Sequence, residues 1–309
     1  MKNLFRKILA CLPPKFSIQI RFFYIHRRFV DFRNPKSFCE KLQWLKVYNK
    51  NPLYTTLVDK FLVKDYVAKI IGEEYIIPTI AVWDNPSEID WNLLPQRFVL
   101  KTNHAGGSAG VVICKNKDFF NKEEAVVKLW KSYNVNSYSV SKEFPYKNIK
   151  RKIIAEQYMV PNDKENDLNY DLPDYKFFCF NGEPLYCQVI RNRNTGETID
   201  FYDMEWNHQE FVGLVPSVRN GNPSLRNGLT PVARPECFEQ MKDACRKLAR
   251  SLPFVRVDLY VVDGKMYFGE LTFYPASGMG VFYPREWDDK LGELIKLPYN
   301  NINGEISLQ

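Results

Sequence analysis

The sequence predicts an α+β protein in which a helical N-terminal region precedes a small α+β segment and a C-terminal lobe of antiparallel strands. Apolar residues recur at helical spacing in the first third, whereas β-branched and aromatic runs dominate from Glu74 onward. In the last third, one Asn-Gly and one Asp-Gly pair each interrupt a long apolar run, as in two hairpins. The 309 residues suffice for two or three lobes. We place their boundaries at 1–95, 96–160 and 161–309.

Two helices are predicted in the N-terminal region. Ser37 and Glu40 stand three residues apart, as in a capping box that starts a helix. A second helix is predicted over 57–71, before a glycine. This helix contains Lys60 and Lys64, which on their own resemble ordinary surface lysines.

The middle segment is predicted as strand, glycine-rich loop, strand, helix and strand. An apolar strand ends at Lys101, and the glycine-rich stretch 105–110 follows it. Backbone N–H groups beside glycine approach an anion closely and a lysine adds positive charge, so the pairing indicates a phosphate site. A tight turn is the alternative. The candidate residues of the loop are Gly106, Gly107, Ser108 and Gly110.

Three catalytic or nucleotide-binding motifs can be compared with the same loop. Residues 106–110 match G-x-S-x-G, the nucleophile motif of α/β-hydrolases. We reject that interpretation because a strand, not a helix, is predicted to follow, and only His208 lies downstream as a base. Neither G-x-x-x-x-G-K nor G-x-G-x-x-G occurs, which excludes nucleotide loops of those two kinds.

The last predicted hairpin carries two acids whose relative position depends on the turn. A two-residue Asp-Gly turn would put Asp258 and Glu270 on opposite faces. A three-residue loop over 262–264 puts Arg256 opposite Glu270 and places both acids on one face with Thr272, and this register is the one we expect. Two neighbouring carboxylates suit an oxygen-preferring cation such as Mg²⁺. The alternative is an exposed ion pair between Arg256 and Glu270.

Two charged residues lie in predicted strands that are otherwise apolar or aromatic, where a charge is unusual unless it is paired or functional. Lys176 is in an aromatic-rich predicted strand and Glu156 is in an apolar one. With three histidines and no C-x-x-C pair, a zinc centre is poorly supplied, so an oxygen-ligand site is the remaining metal option.

Positive charge is concentrated at the N-terminus. The net charge of +7 equals the number of basic residues among the first 30, where no acid precedes Asp31. Charges balance elsewhere in the chain, so we expect no nucleic-acid partner. The basic segment is expected either to contact an anionic membrane or to be simply solvated. Apolar residues at helical spacing in this segment would enter a membrane interface or pack on the protein itself. They are Leu4, Phe5, Ile8, Leu9 and Leu12.

Cysteine usage and hydropathy bear on location. Seven scattered cysteines without paired spacing fit a reducing compartment. No apolar run approaches the roughly 18 residues of a spanning helix, and the stretch 8–12 is too short for a signal peptide. We expect a cytoplasmic location, with peripheral attachment to the inner face of the membrane as a further expectation.

Taken in series, these segments resemble the TupA-like branch of the ATP-grasp superfamily, found among bacterial genes for surface polysaccharide and teichuronopeptide synthesis. The resemblance covers about residues 34–297. Its runs, in order, are NPKSFCEKLQWLK, DKFLVKDYV, FVLKTNHAGGSAG, IIAEQYM, DYKFFCFNGEP, VRVDLY and FGELTF. It implies an ATP-grasp fold whose ATP site lies between the α+β segment, acting as a lid, and the C-terminal lobe.

The resemblance implies which residues would hold ATP. Lys101 and Lys60, with Lys64 as the alternative to Lys60, would contact phosphates. Lys176 would reach the nucleotide. The stretch beginning at Glu156 would form the hinge beside adenine.

It also implies the residues of the reaction itself. Arg256 would steady the transferring phosphoryl group together with Lys176, and Asp258 and Glu270 would bind Mg²⁺. Many family members end the last motif as Glu-x-Asn, whereas Thr272 stands at the third position here. Support for a second metal therefore stays open.

The implied reaction is ATP-dependent formation of a C–N bond through an acyl phosphate, which needs no protein nucleophile. The expected substrates are an amine and a carboxylate, either a uronic acid or an amino acid, in capsule, O-antigen or teichuronopeptide-like synthesis. Candidate anchors for the carboxylate are Arg191, Arg193 and Arg285. The alternative is a glycosyltransferase using the acidic stretch 203–205.

Overall fold

A computed structural model describes residues 8–167, 169–193 and 195–298. The predicted capping box is confirmed, because the Ser37 side chain accepts a hydrogen bond from the backbone N–H of Glu40 and the Glu40 carboxylate accepts one in return. The N-terminal helices are α1 (Pro14–His26), α2 (Phe38–Tyr48), α3 (Leu53–Val58) and α4 (Leu62–Ile71).

The helix predicted over 57–71 is interrupted between α3 and α4. Asp59 Oδ1 accepts hydrogen bonds from the backbone N–H groups of Phe61 (2.8 Å) and Leu62 (3.3 Å). The backbone N–H of Lys60 donates to the carbonyl of Asn103, 3.0 Å away. The prediction of one continuous helix is wrong because an aspartate side chain competes for the backbone donors at this point.

A four-stranded antiparallel sheet and two helices form the α+β segment, which we call the lid. Its strands are β1 (Thr79–Trp83), β2 (Phe98–Thr102), β3 (Val111–Cys114) and β4 (Ile153–Gln157). Their order is β1-β4-β2-β3. The helices α5 (Lys122–Tyr133) and α6 (Ser137–Ser141) lie between β3 and β4 in the chain. The predicted element order is confirmed, but because β1 pairs with β4 the sheet begins before the boundary expected at residue 95.

The C-terminal lobe is built on a six-stranded antiparallel sheet. Its strands are β5 (Asp174–Phe180), β6 (Glu183–Arg191), β7 (Thr198–Tyr202), β8 (His208–Gln209), β12 (Phe254–Val262) and β13 (Lys265–Thr272). Their order is β13-β12-β5-β6-β7-β8. Two short pairs join β9 (Val212–Val215) to β14 (Val281–Tyr283) and β10 (Val218–Arg219) to β11 (Asn222–Pro223). Helices α7 (Phe238–Ala249) and α8 (Glu286–Leu294) complete the lobe.

The last hairpin, β12 and β13, has a different turn from the expected one. Val262 pairs with Lys265, so the turn has two residues, and both Asp263 (φ 49°) and Gly264 (φ 74°) are left-handed. The expected three-residue loop is wrong. A β-bulge beside Gly269 then shifts the register by one residue, so Asp258 lies directly opposite Glu270. The two acids still share a face, as expected, but through the bulge and not through the turn.

Two hydrophobic cores hold the fold. The larger core joins the N-terminal helices to the six-stranded sheet, where the ring of Phe38 on α2 lies 5.0 Å from that of Phe254 on β12. The apolar face of α7, formed by Phe238, Met241, Cys245 and Leu248, belongs to this core. The smaller core lies within the lid, around Phe98 and Leu129. The N-terminal region is therefore packed on the C-terminal lobe and shares its core.

The structure describes only some of the apolar residues that we expect at a membrane interface or against the protein itself. Leu4 and Phe5 lie outside the described residues, while Leu9 is buried and Ile8 is exposed. Among the residues that the structure describes, no helix combines the length and apolar character that crossing a membrane requires.

Candidate functional site

The bulged hairpin gathers charged side chains on one face. Arg256 Nε lies 2.7 Å from Asp258 Oδ1, and its Nη2 lies 2.7 Å from Asp258 Oδ2. The same Nη2 reaches Glu270 Oε1 at 3.3 Å and the Thr272 hydroxyl at 3.1 Å. Gly269 permits this arrangement, because an added Cβ would lie 3.0 Å from the Asp258 carbonyl oxygen. A fork of this kind fixes Arg256 in one orientation.

Two lysines from other elements complete what we call the hairpin cluster, formed by Lys60, Lys176, Arg256, Asp258 and Glu270. Lys176 on β5 is paired in register with Asp258, and its Nζ donates to that carboxylate. Lys60, at the break between α3 and α4, places its Nζ 2.5 Å from Glu270 Oε2. The interruption of the predicted helix thus positions a lysine at the site.

Neighbouring cations keep Glu270 ionised in the hairpin cluster. Burial alone would raise the pKa of Glu270, but Lys60 and Arg256 hold it well below its ordinary value. Burial also opposes the charge of Arg256, yet Asp258 holds the pKa of the guanidinium above its ordinary value. Three cations face two carboxylates, which leaves one positive charge in excess.

A second set of ions, the lid cluster, consists of Glu156, Lys64 and Lys101. Lys101 Nζ lies 2.5 Å from Glu156 Oε2, and Lys64 Nζ lies 2.7 Å from Oε1. Lys64 also donates to the carbonyl of Ile77 and the hydroxyl of Thr79. Burial would raise the pKa of Glu156, but Lys101 and Lys64 lower it below its ordinary value. Lys60 and Lys64, offered as alternatives, therefore lie in different clusters.

The glycine-rich loop combines an open tip with a tight base. Gly106, Gly107 and Ser108 are exposed, and an added Cβ at Gly106 or Gly107 would meet nothing within 4 Å. At Gly110 an added Cβ would lie 2.3 Å from Thr102 Oγ1 and 2.4 Å from Ser132 Oγ. The tip is thus free to approach a ligand, while the base needs glycine for close packing.

Sequence reasoning missed two buried polar residues near these clusters. Asp174 on β5 lies 3.3 Å from Lys176, and its Oδ1 is buried without a hydrogen-bond partner. Its alternation with Lys176 along one strand was a signal that both share a face. His104, just before the loop, lines a polar cavity of about 50 Å³ with Lys147 and Arg151. No sequence pattern indicated that cavity.

The donor set fits Mg²⁺. Asp258 and Glu270 offer carboxylate oxygens, and Thr272 offers a hydroxyl. Asp174 adds a buried carboxylate oxygen that has no hydrogen-bond partner. Across residues 8–298, leaving aside 168 and 194, no three acidic, histidine or cysteine side chains form a ready metal site. Mg²⁺ is commonly held by one or two carboxylates together with substrate phosphates, so two acids are enough.

A family model described as TupA-like ATPgrasp matches residues 40–296. No curated protein matches the sequence significantly.

Three solved structures that match the chain are all distant from it in sequence. D-alanine–D-alanine ligase from Bacillus anthracis has 17% identity and a TM-score of 0.43, with 80% of this chain and 68% of that chain covered. The Helicobacter pylori enzyme of the same name has 15% identity and a TM-score of 0.43, with 84% and 67% covered. N5-carboxyaminoimidazole ribonucleotide synthetase from Thermus thermophilus has 12% identity and a TM-score of 0.38, with 83% and 52% covered. About a third to a half of each of those proteins therefore has no counterpart here.

Proposed function

The chain belongs to the TupA-like ATP-grasp family, and from that premise we propose that it uses ATP and Mg²⁺ to join a carboxylate to an amine. The observation that carries the proposal is the hairpin cluster, where Lys60, Lys176 and Arg256 surround the carboxylates of Asp258 and Glu270. Phosphoryl transfer depends on positioning and on stabilising negative charge, which are the tasks that such a group performs.

The roles we propose follow from the contacts. The excess positive charge of both clusters favours a triphosphate, with Lys60 and Lys101 at its oxygens. The exposed tip of the loop, Gly106 to Ser108, would add backbone N–H groups. Lys176 would reach the nucleotide, and the stretch from Glu156 would lie beside adenine.

The acids and the arginine would serve the reacting end. Asp258 and Glu270 would hold Mg²⁺, with Thr272 as a further oxygen, and the ion would neutralise charge on the phosphates when bound. Arg256, fixed by its fork to Asp258, would point at the transferring phosphoryl group, so little rearrangement is needed as charge builds there. The carboxylate would become an acyl phosphate, which the amine attacks with release of phosphate.

For the acid we propose a uronic acid or an amino acid, and for the setting the synthesis of a bacterial surface polysaccharide at the cytoplasmic side of the membrane. Arg193 is the best supported anchor for the substrate carboxylate, because its side chain is 40% exposed and lies beside Asp174, next to the hairpin cluster. Arg191 is already held by Asp200 at 3.0 Å and by the carbonyl of Thr230.

A glycosyltransferase is less well supported. Its acidic stretch would begin at Asp203, whose carboxylate accepts hydrogen bonds from the backbone N–H groups of Glu205 (3.0 Å) and Asn207 (2.8 Å). That pattern is typical of a turn-forming aspartate rather than of a metal ligand.

Nucleotide binding tests the first half of the proposal. ATP with Mg²⁺ should raise the melting temperature of the parent, and a UDP-sugar should not. Lys101→Ala should bind ATP about tenfold more weakly, because one charged contact is lost. Lys128→Ala, at an exposed lysine on α5, is the control and should bind like the parent. Equal ATP stabilisation of Lys101→Ala and the parent would show that the assignment of Lys101 is wrong.

Product formation tests the second half. The protein is incubated with ATP, Mg²⁺ and a panel of uronic acids, amino acids and amines, and products are identified by mass spectrometry. Ligation predicts a product with the mass of acid plus amine less one water, together with one ADP per product. Transfer of a glycosyl group from a UDP-sugar, with no formation of ADP, would contradict the ligase proposal and support the glycosyltransferase instead.

A further inference from the structure

The helix α1 is apolar on two opposite faces. Its inner face buries Ile18 and Phe22 completely. Its outer face carries four large apolar side chains that are between 39% and 67% exposed, spaced by three or four residues or adjacent. We call them the α1 stripe: Phe16, Ile20, Phe23 and Tyr24. A folded protein gains nothing from exposing such a row to water, so the stripe indicates a contact surface.

Two exposed basic residues flank the stripe. Lys15 and Arg27 are exposed on or beside α1, and Phe29, also exposed, continues the apolar surface past its end. The first 30 residues contain seven basic residues and no acid. Apolar and aromatic side chains among lysines and arginines are the composition of helices that lie in a membrane interface.

A cavity of about 300 Å³ opens where the stripe begins, and Phe16 belongs to both. Its wall is largely apolar, with four lysines and no acid: Pro13, Pro14, Lys15, Phe16, Lys46, Val47, Lys50, Tyr138, Lys142 and Phe144. Lys46 is buried and donates to the Ser277 carbonyl, and Lys142 donates to the Ala10 carbonyl. Lys15 and Lys50 are exposed at the rim, where they can meet an anion.

We propose that this face docks on an anionic lipid bilayer, with the α1 stripe in the interface and a lipid phosphate held between Lys15 and Lys50 at the mouth of the cavity. A second copy of the chain fits the face poorly, because a symmetric dimer would bring the same basic residues against each other. An acidic bilayer satisfies both the charge and the apolar surface. Neither the nucleotide nor the hairpin cluster takes part in this docking.

Co-sedimentation of the full chain with vesicles tests the docking. We expect binding to mixed phosphatidylglycerol and phosphatidylcholine vesicles, weakening with added salt, and little binding to phosphatidylcholine alone. Lys15→Ala and Lys50→Ala should each lower the affinity about fivefold. Phe16→Ser combined with Phe23→Ser should lower it at least about tenfold. The matched controls, Lys128→Ala and Phe119→Ser, change an exposed lysine and an 89% exposed phenylalanine on the lid and should bind like the parent.

Several results would overturn the proposal. These are equal binding to both kinds of vesicle, parent-like binding by the Phe16 and Phe23 double variant, or a dimer in size-exclusion chromatography that this variant dissociates. Heat stabilisation by free glycerol phosphate without vesicle binding would assign the lysines to a soluble phosphate ester instead. Melting curves that match the parent establish that each variant is folded. Stabilisation of the same variants by ATP shows whether a loss of vesicle binding is independent of the proposed ligase site.

Discussion

The two ion clusters differ in how completely their acids are enclosed. In the lid cluster the side chain of Glu156 is 4% exposed and each of its oxygens faces a lysine. In the hairpin cluster Asp258 is equally buried, but the side chain of Glu270 is 26% exposed. Each cluster holds one more cation than acid. A phosphate would thus meet excess positive charge in both, whereas a metal could reach an acid only in the hairpin cluster.

The degree of enclosure determines what each cluster is suited for. A fully enclosed acid fixes its lysines in place, since moving either cation would leave one buried carboxylate oxygen without its ion-pair partner. A partly open acid can exchange a lysine for another cation at smaller cost, because water already reaches it. We therefore expect the lid cluster to hold its lysines in fixed positions and the hairpin cluster to take part in the reaction.

Removing the central acid of each cluster gives the largest expected effect. Asp258→Ala leaves Arg256 and Lys176 buried with weakened pairing, and should lower the free energy of unfolding by about 3–5 kcal/mol. Glu156→Ala should cost less, about 1–3 kcal/mol, because Lys64 keeps two protein acceptors. Urea unfolding of both variants measures the difference. If Glu156→Ala proves the more damaging, the two remaining acceptors of Lys64 do not compensate for the lost carboxylate.

Arg256→Lys separates geometry from charge in the hairpin cluster. Lysine keeps the positive charge but cannot form the fork to Asp258, so the transferring phosphoryl group would lose its fixed partner. We expect kcat with the productive substrate pair to fall about 100-fold while ATP stabilisation stays near that of the parent. Lys128→Ala provides the control for purification and assay. An unchanged kcat would remove Arg256 from the reaction.

Much of the fold was predictable because its signals are local. The capping box at Ser37, the helix that follows the second strand of the middle segment, and the two hairpins at the Asn-Gly and Asp-Gly pairs each depend on a few adjacent residues. All of these elements are confirmed, although the turn of the second hairpin has two residues instead of the expected three. The ATP-grasp assignment depended on several such motifs in series, and the family match confirms it. The break at Asp59 was missed because helix propensity there is outweighed by side-chain hydrogen bonds.

The candidate site was only partly predictable because its contacts join distant residues. Lys60 and Glu270 are 210 positions apart, and no spacing rule connects them. The shared face of Asp258 and Glu270 was expected for the wrong reason, since the register shift comes from a bulge. An isolated glycine inside a strand pattern was the available signal, and Gly269 is that residue.

The lid should also show its own dependence on pH. Burial and Arg151 lower the pKa of His104 from 6.5 to about 4, so the folded protein prefers the neutral ring. The contribution of the neutral His104 ring to the free energy of unfolding is complete above pH 6.5 and is lost as the pH falls toward 4. His104→Asn should remove about 2 kcal/mol of the stability difference between pH 7.5 and pH 5, measured by urea unfolding. His26, whose pKa is also about 4, keeps its share in the variant. Identical pH dependence in parent and variant would contradict this account.

The glycine-rich loop offers the smallest effect and a matched pair within six residues. Gly106→Ala adds a methyl group into open space, so its free energy of unfolding should change by less than about 0.5 kcal/mol. Gly110→Ala would push against Thr102 and Ser132 and should cost about 1–3 kcal/mol. If the tip serves phosphate binding, Gly106→Ala should nevertheless weaken ATP stabilisation, because its backbone N–H would approach the ligand less closely. A Gly106→Ala variant that matches the parent in both stability and ATP binding would reduce the loop to a tight turn and leave nucleotide binding to the two clusters.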